Sequence, residues 1–226
     1  MKVAITGANR GIGLELARQY LAKGATVFAG ARRPEEAAEL KALGEGALIV
    51  AECDVSSDES VAKFAGAVGD AAIDLLINNA GVMGKSGPLA RVDLDDALST
   101  IAVNAVGALR VTKALLPAVA RSEGKKLLHV SSGMGSIGDN TSGGWYGYRM
   151  SKAALNMASR SLAMDLKGQG IVSVVINPGW VQTDMGGPSA SISVEESAKK
   201  IIARVEGLTM ADTGKFLDYK GGTWEW

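Results

Sequence analysis

The stretch Lys2-Val-Ala-Ile-Thr6, then Gly7-Ala-Asn-Arg-Gly-Ile-Gly13, then Leu14 to Leu21 decides the fold. The first part is a short apolar run, the second a glycine-rich turn, and the third has helical spacing. Strand, glycine turn and helix in that order make a dinucleotide-binding fingerprint. Gly7, Gly11 and Gly13 let the backbone turn tightly and approach a pyrophosphate. Asn9, Arg10 and Ile12 complete the turn, and the free N–H groups of the helix start receive the anion. The spacing Gly-x-x-x-Gly-x-Gly differs from the commoner Gly-x-Gly-x-x-Gly, so the context carries the specificity: the turn follows a strand that opens almost at residue 1.

Working outward, Thr26-Val-Phe-Ala-Gly-Ala31 reads as a second strand, followed by Arg32, Arg33 and Pro34, which starts another helix. The end of this strand is where an NAD enzyme needs Asp or Glu for the ribose 2′-hydroxyl. Here the position holds Ala31, followed by arginine. With no carboxylate to repel it, a 2′-phosphate could be held by Arg32 and by Arg10. NADP(H) is therefore expected in preference to NAD(H); the plainer reading is a pair of solvated arginines. Leu48 to Cys53 is a third strand, ending at Asp54-Val55. Asp54 could accept from an adenine amino group or help cap the next helix, for which Ser56-Ser-Asp-Glu59 reads as a capping box. Ile73 to Ile77 is a fourth strand, running into Asn78-Asn79-Ala80-Gly81. Those small residues leave room for adenosine, and the asparagines can tie strand ends together.

A second cluster lies in Trp145-Tyr-Gly-Tyr-Arg-Met-Ser-Lys152, which opens the Ala/Leu/Met-rich helical run Ala153 to Leu166. Tyr148 and Lys152 are four residues apart, on one helix face. A free phenol titrates near ~10. A nearby ammonium favours the phenolate and is expected to pull that value down by roughly 1–3 units. The result is a proton donor for a carbonyl, or an acceptor for an alcohol, without histidine or metal. Tyr146 is the rival phenol, but points to another face. A solvated helix carrying this spacing by chance is the ordinary alternative.

Composition narrows the classes. The 226 residues suit one α/β domain, and 47% are apolar, enough for a large core. Acidic and basic residues balance at 24 each, so no nucleic-acid or membrane capture is expected. The single cysteine, Cys53, fits a reducing cytoplasm and reads as a buried strand-end thiol. No signal peptide is expected. Ala97 to Ala120 is broken by Asn104, Arg110, Lys113 and Pro117, which argues against a membrane span. His129, the only histidine, has no ligand cluster around it; it reads as a packing residue, and no metal is expected.

The set Thr6-Gly-x-x-x-Gly-Ile-Gly13, Asp54-Val55, Asn78-Asn-Ala-Gly81 and Tyr148-x-x-x-Lys152 resembles the short-chain dehydrogenase/reductase family, over residues 2 to about 185. Pro178-Gly-Trp-Val-Gln-Thr-Asp-Met-Gly186 and the ending Phe216-Leu-Asp-Tyr resemble the subgroup of the C-signal factor and the sniffer-type carbonyl reductases. The resemblance implies one Rossmann-type α/β domain over 1–226, a doubly wound parallel sheet of about seven strands with helices on both faces. It implies Ser132 as the catalytic serine, after a fifth strand Leu127 to Val130. Ser132 stands further from Tyr148 than is usual in the family, so the Gly138–Gly144 loop bulges and Ser136 stays a rival. Asn104 matches the family's Asn-x-x-Gly, implying a kinked helix that holds a water beside Lys152; a wet helix face is the alternative. After the sixth strand, Val172 to Ile176, the resemblance implies that residues following Pro178-Gly179, namely Val181 and Thr183, meet the nicotinamide.

Residues 179–193 read as a mobile substrate loop, closed by a second capping box, Ser193-Val-Glu-Glu196, on a helix to about Val205. The expected activity is interconversion of a carbonyl and an alcohol on a small apolar or aromatic substrate, with Met134, Trp145, Trp180 and Met185 around it. A homodimer or homotetramer is implied. The alternative is a cofactor-binding signalling or sensor protein with incidental redox activity. Too few residues follow Pro178-Gly179 for the separate substrate domain of an extended-family epimerase.

Overall fold

The computed structural model describes residues 1–44 and 46–226. Seven parallel strands form one sheet: β1 (Lys2–Thr6), β2 (Thr26–Ala31), β3 (Leu48–Glu52), β4 (Leu75–Asn78), β5 (Lys126–Val130), β6 (Val172–Asn177) and β7 (Phe216–Asp218). Their order is β3-β2-β1-β4-β5-β6-β7, so the chain winds one way from β1 and then reverses across it to β4. In such sheets the crevice at the reversal, outside the strands' carboxyl ends, is where ligands bind. The strands are near-continuous apolar runs because both faces are covered.

The helices are α1 (Gly11–Ala22), α2 (Ala38–Lys41), α3 (Asp58–Val68), α4 (Leu94–Ile101), α5 (Gly107–Ala120), α6 (Tyr146–Leu166) and α7 (Val194–Glu206). Side chains alternate between the faces of each strand. Val3 and Ile5 of β1 join Leu16, Leu40 and Ile201 in one apolar layer. Ala4 joins Phe64, Val111 and Leu115 in the other. The expected doubly wound sheet with helices on both faces is therefore what the chain forms.

Several boundaries differ from expectation. The helix expected from Pro34 is only a 3₁₀ turn, Pro34–Glu36, plus the single turn α2. Only Ala37 and Leu40 of that segment are buried, too little apolar surface to hold a longer helix. The fourth strand starts at Leu75 rather than Ile73. Helix α3 is capped by Ser57, whose side chain accepts from the Ser60 N–H, and not by a box at Ser56–Glu59. At α7 half of the expected box forms. Ser193 accepts from the Glu196 N–H, while the Glu196 carboxylate pairs with Lys200 at 2.7 Å instead of reaching back.

Helices α4 and α5 are joined without a break by a π-helical turn, Ala102–Val106. The combined run Leu94–Ala120 is long and apolar enough, by length and composition, to cross a membrane. Here its Val111, Leu115 and Val119 are buried in the core of the sheet.

His129 is buried on β5, as a packing residue would be, and it is also tied into a polar chain. Asn78 Nδ2 lies 3.2 Å from His129 Nδ1, and Ser173 Oγ lies 3.5 Å from Nε2. Burial without a charged partner lowers the imidazole pKa to about 4. Between about pH 4 and 6.5 the unfolded chain thus holds a proton here that the folded chain does not, and folding stability falls as pH drops through that window. The expected loss attributable to His129 is about 3 kcal/mol. Urea unfolding at pH 6.5 and 4 checks this: wild type should lose that much more stability than His129→Asn, and equal losses would exclude the effect.

Candidate active site

The cradle for a dinucleotide sits at the carboxyl end of β1. Helix α1 opens at Arg10 with no side-chain cap and no acidic residue in its first turn. The N–H groups of Gly11, Ile12 and Gly13 have no carbonyl partner within the helix. Gly7 has φ +64°, and a Cβ there would lie 2.8 Å from Ala80 Cα. A Cβ on Gly13 would overlap the Gly7 carbonyl oxygen and meet Asn79 Nδ2 at 2.5 Å. Asn79 ties strand ends together as expected: it donates from Nδ2 to the carbonyls of Thr6 (3.0 Å) and Gly7 (3.1 Å). Thr6 Oγ1 accepts from the N–H groups of Asn79 and Ala80, both at 3.1 Å. These bonds lock the β4 end to the glycine turn. The uncapped helix start, the glycine cradle and the arginines beside it fit a dinucleotide phosphate.

Asn78 differs from its expected place. Its side chain turns into the core, donating to Thr112 Oγ1 at 2.9 Å, because the hydrogen-bonding groups of His129 and Thr112 lie beneath the β4 end. Asn79, Ala80 and Gly81 are the residues of that segment that border the crevice; a Cβ on Gly81 would lie 3.1 Å from Asn104 Oδ1 and 3.6 Å from Lys152 Nζ.

At the end of β2, Arg32 is exposed. Partial burial works against the Asp54 carboxylate, but hydrogen bonds from Ser56, with smaller help from the charges of Arg32 and Arg110, hold its pKa below the ordinary range. Asp54 does not cap α3: its Oδ1 accepts from the Ser56 N–H (2.9 Å) and hydroxyl (2.6 Å). Val55 is buried, and its carbonyl accepts from Arg110 at 2.6 Å. Arg33 pairs with Glu36 at 2.7 Å. Arg10 and Asp184 form an exposed ion pair at 2.9 Å that ties the glycine turn to the 179–193 loop. Asn9 is exposed beside it.

The structure gathers Asn104, Ser132, Tyr148 and Lys152 along α6 and its neighbours. Helix α6 opens after Trp145, which holds the left-handed conformation at φ 48°, rare for a bulky residue. Tyr148 and Lys152 are both buried, with Nζ 5.7 Å from the phenol ring centroid. Lys152 Nζ donates to the Val130 carbonyl at 2.9 Å. Burial lowers the amine's pKa to about 8. The expected depression of the Tyr148 pKa by Lys152 is not found. Burial raises the phenol's pKa, and the opposing influence is a hydrogen bond with Ser132, not the amine, whose hydrogen bond runs to Val130.

Ser132 caps the turn Gly133–Gly135, its Oγ accepting from the Met134 N–H at 3.1 Å. Ser136 is otherwise engaged: buried, it donates to the Trp226 carbonyl at 3.3 Å and accepts from the Asp139 N–H at 3.1 Å. Asn104 sits in the π turn, buried rather than on a wet face. Its Oδ1 accepts from the Val82 N–H, and its Nδ2 donates to the Val82 carbonyl and to Ser151 Oγ, each at 2.8 Å. Tyr146 is exposed and lines a small pocket of about 90 Å³ with Lys85, Asp93 and Asp96.

Pro178 is buried at the end of β6, and Gly179 has φ +88°. In the loop that follows, Val181 bridges to Ile192, and Thr183 Oγ1 accepts from the Gly186 N–H at 3.1 Å. The Thr183 methyl would lie 3.2 Å from a Cβ on Gly11, so this loop rests over the glycine turn. Buried Cys53 has its thiol pushed up to about 12, so it stays a neutral thiol. Among the described residues, no three His, Cys, Asp or Glu side chains cluster for a metal ion.

A glycine cradle at the switch point with a buried tyrosine and lysine one helical turn apart defines a short-chain oxidoreductase site, and residues 1–192 match the short chain dehydrogenase family; the chain belongs to it. Among relatives, it is 48% identical to C-signal of Myxococcus xanthus over 154 residues, covering 68% of this chain and 93% of that one. Carbonyl reductase Sniffer of D. melanogaster superposes with a TM-score of 0.94 at 35% identity, covering 100% of this chain and 99% of that one. The NADPH-bound carbonyl reductase from chicken fatty liver does so at 0.94 and 32% identity, covering 100% and 98%.

Proposed function

We propose that the protein is an NADP(H)-dependent oxidoreductase that interconverts a carbonyl and an alcohol on a small apolar or aromatic substrate. The observation that carries this is the buried pair Tyr148 and Lys152, with Ser132 close enough to the phenol to affect its titration and Lys152 Nζ 3.6 Å from where a Cβ on Gly81 would stand. Arg10 and Arg32, with Ala31 where a carboxylate would exclude a 2′-phosphate, support NADP(H), as does likeness to the NADPH-bound chicken enzyme. Gly7, Asn9, Gly11, Ile12 and Gly13 would hold the pyrophosphate. Asp54, Val55, Ala80 and Gly81 would border the adenosine, and Pro178, Gly179, Val181 and Thr183 the nicotinamide.

A bound reduced nicotinamide supplies the hydride. The chain's own work is at the oxygen. Tyr148 donates its phenolic proton there, and the Ser132 hydroxyl holds the charge that grows on it. Lys152 keeps a cation within reach of Tyr148, and Asn104 fixes the Val82 backbone against α6 through Ser151. Met134, Trp145, Trp180 and Met185 give the mouth its apolar character. A stripe of exposed Met150, Met157 and Met164 on α6, with exposed Leu98 and Leu109 on α4 and α5, supports a homodimer or homotetramer. The lone buried thiol supports a cytoplasmic location.

The second reading, a cofactor-binding signalling protein, is favoured by the 48% identity to C-signal. One assay separates the two: NADPH consumption with benzaldehyde, a short aliphatic ketone and a quinone. Turnover of at least one is expected. Tight NADPH binding with no turnover of any would favour the signalling reading.

A further inference from the structure

We propose that Asn156 is a positioning residue that sets the Ser132 hydroxyl against Tyr148; this rests on the reading of Ser132 given above. Asn156 lies one turn beyond Lys152 on α6 and is 3% exposed. Its amide grips both sides of the serine turn. Oδ1 accepts from the Ser131 hydroxyl at 2.6 Å, immediately before Ser132, and Nδ2 donates to the Gly135 carbonyl at 3.1 Å, just after it. The helix that carries Tyr148 and Lys152 therefore also fixes the place of the serine.

The turn has no room to shift toward the helix. A Cβ on Gly135 would lie 2.8 Å from Lys152 Cβ and 3.0 Å from the Lys152 carbonyl carbon, so the turn packs directly on α6. It is held from outside as well. A Cβ on Gly133 would lie 2.9 Å from the Trp224 ring, and the Trp226 carbonyl accepts from the Gly138 N–H at 3.0 Å. A groove of about 650 Å³ is lined by Gly135, Asn156, Trp224 and Trp226 but by none of the four proposed catalytic side chains. Open space on that side leaves the turn relying on hydrogen bonds as well as packing: the Gly133 N–H donates to Asn177 Oδ1 at 3.1 Å, and the two bonds of Asn156 tie the turn to α6. Ser132 needs that help because its own anchor is local, the Met134 N–H two residues on.

A double-variant cycle tests this, with kcat on benzaldehyde and the Kd for NADPH as readouts. Asn156→Ala should lower kcat by about 10- to 100-fold, the scale of a misplaced reacting group, with Kd changed less than about twofold. In a Ser132→Ala background the same change should cost less than about twofold, because there is no hydroxyl left to place. Ser131→Ala, which removes one of the two bonds and keeps Asn156, should give a smaller loss that also vanishes with Ser132→Ala; it serves if Asn156→Ala does not fold. Unchanged kcat in the single variants, or losses that multiply in the double ones, would overturn the positioning role. Full turnover by Ser132→Ala alone would overturn the catalytic role of the serine, and this proposal with it.

Discussion

Tyr148→Phe is expected to fold, to bind NADPH as tightly as wild type, and to reduce carbonyls about 10²- to 10⁴-fold more slowly. The ring is buried, so removing one oxygen leaves the packing of α6 intact. What is lost is the phenolic proton that the proposed reduction draws on. The direction of the Tyr148 shift sharpens the expectation. Burial raises the phenol's pKa, so the hydroxyl stays protonated through neutral pH, the form that reduction needs. Alcohol oxidation needs the phenolate and should accelerate as pH rises. Lys152, with a pKa lowered to about 8, loses its charge over the same range and sets an upper limit to that gain. Single-turnover rates in both directions, alongside NADPH titration, measure this. Turnover in Tyr148→Phe close to wild type would remove the phenol from the chemistry.

The second large effect is on the cofactor. Wild type should use NADPH with kcat/KM about 10- to 100-fold above NADH, the worth of charge-assisted hydrogen bonds to one phosphate. Arg32 stands exposed at the end of β2, free to reach such a phosphate, whereas Arg33 is held by Glu36. Arg10 must first leave Asp184, an exposed pair worth at most about 1 kcal/mol. Installing the missing carboxylate while removing the cation, Ala31→Asp with Arg32→Ala, should reverse the preference by disfavouring the phosphate and accepting a 2′-hydroxyl. A wild-type protein that prefers NADH would defeat the assignment.

Much of this was legible in the residues because it is local. The short apolar run of β1, the glycines after it and the helical run that follows dictate strand, turn and helix without reference to the rest of the chain. Tyr148 and Lys152 share a face because helical geometry alone puts them there. What stayed hidden depends on contacts between distant segments. Nothing near Asn78 in sequence says that Thr112 and His129 await its side chain, and nothing near Asn156 points to Ser131. The sign of the Tyr148 shift was missed for a related reason. Spacing gives proximity to an ammonium, but burial depth and the competing Val130 carbonyl emerge only once β5 and α6 are packed together.

The π turn at Ala102–Val106 has a consequence for anyone reshaping this enzyme. A single residue deleted there would let α4 and α5 close into one regular helix, swinging everything upstream by about 100°. Asn104 would leave Val82 and Ser151, although the repaired helix would be the more comfortable backbone. Selection for heat tolerance and selection for turnover thus pull this short segment in opposite directions.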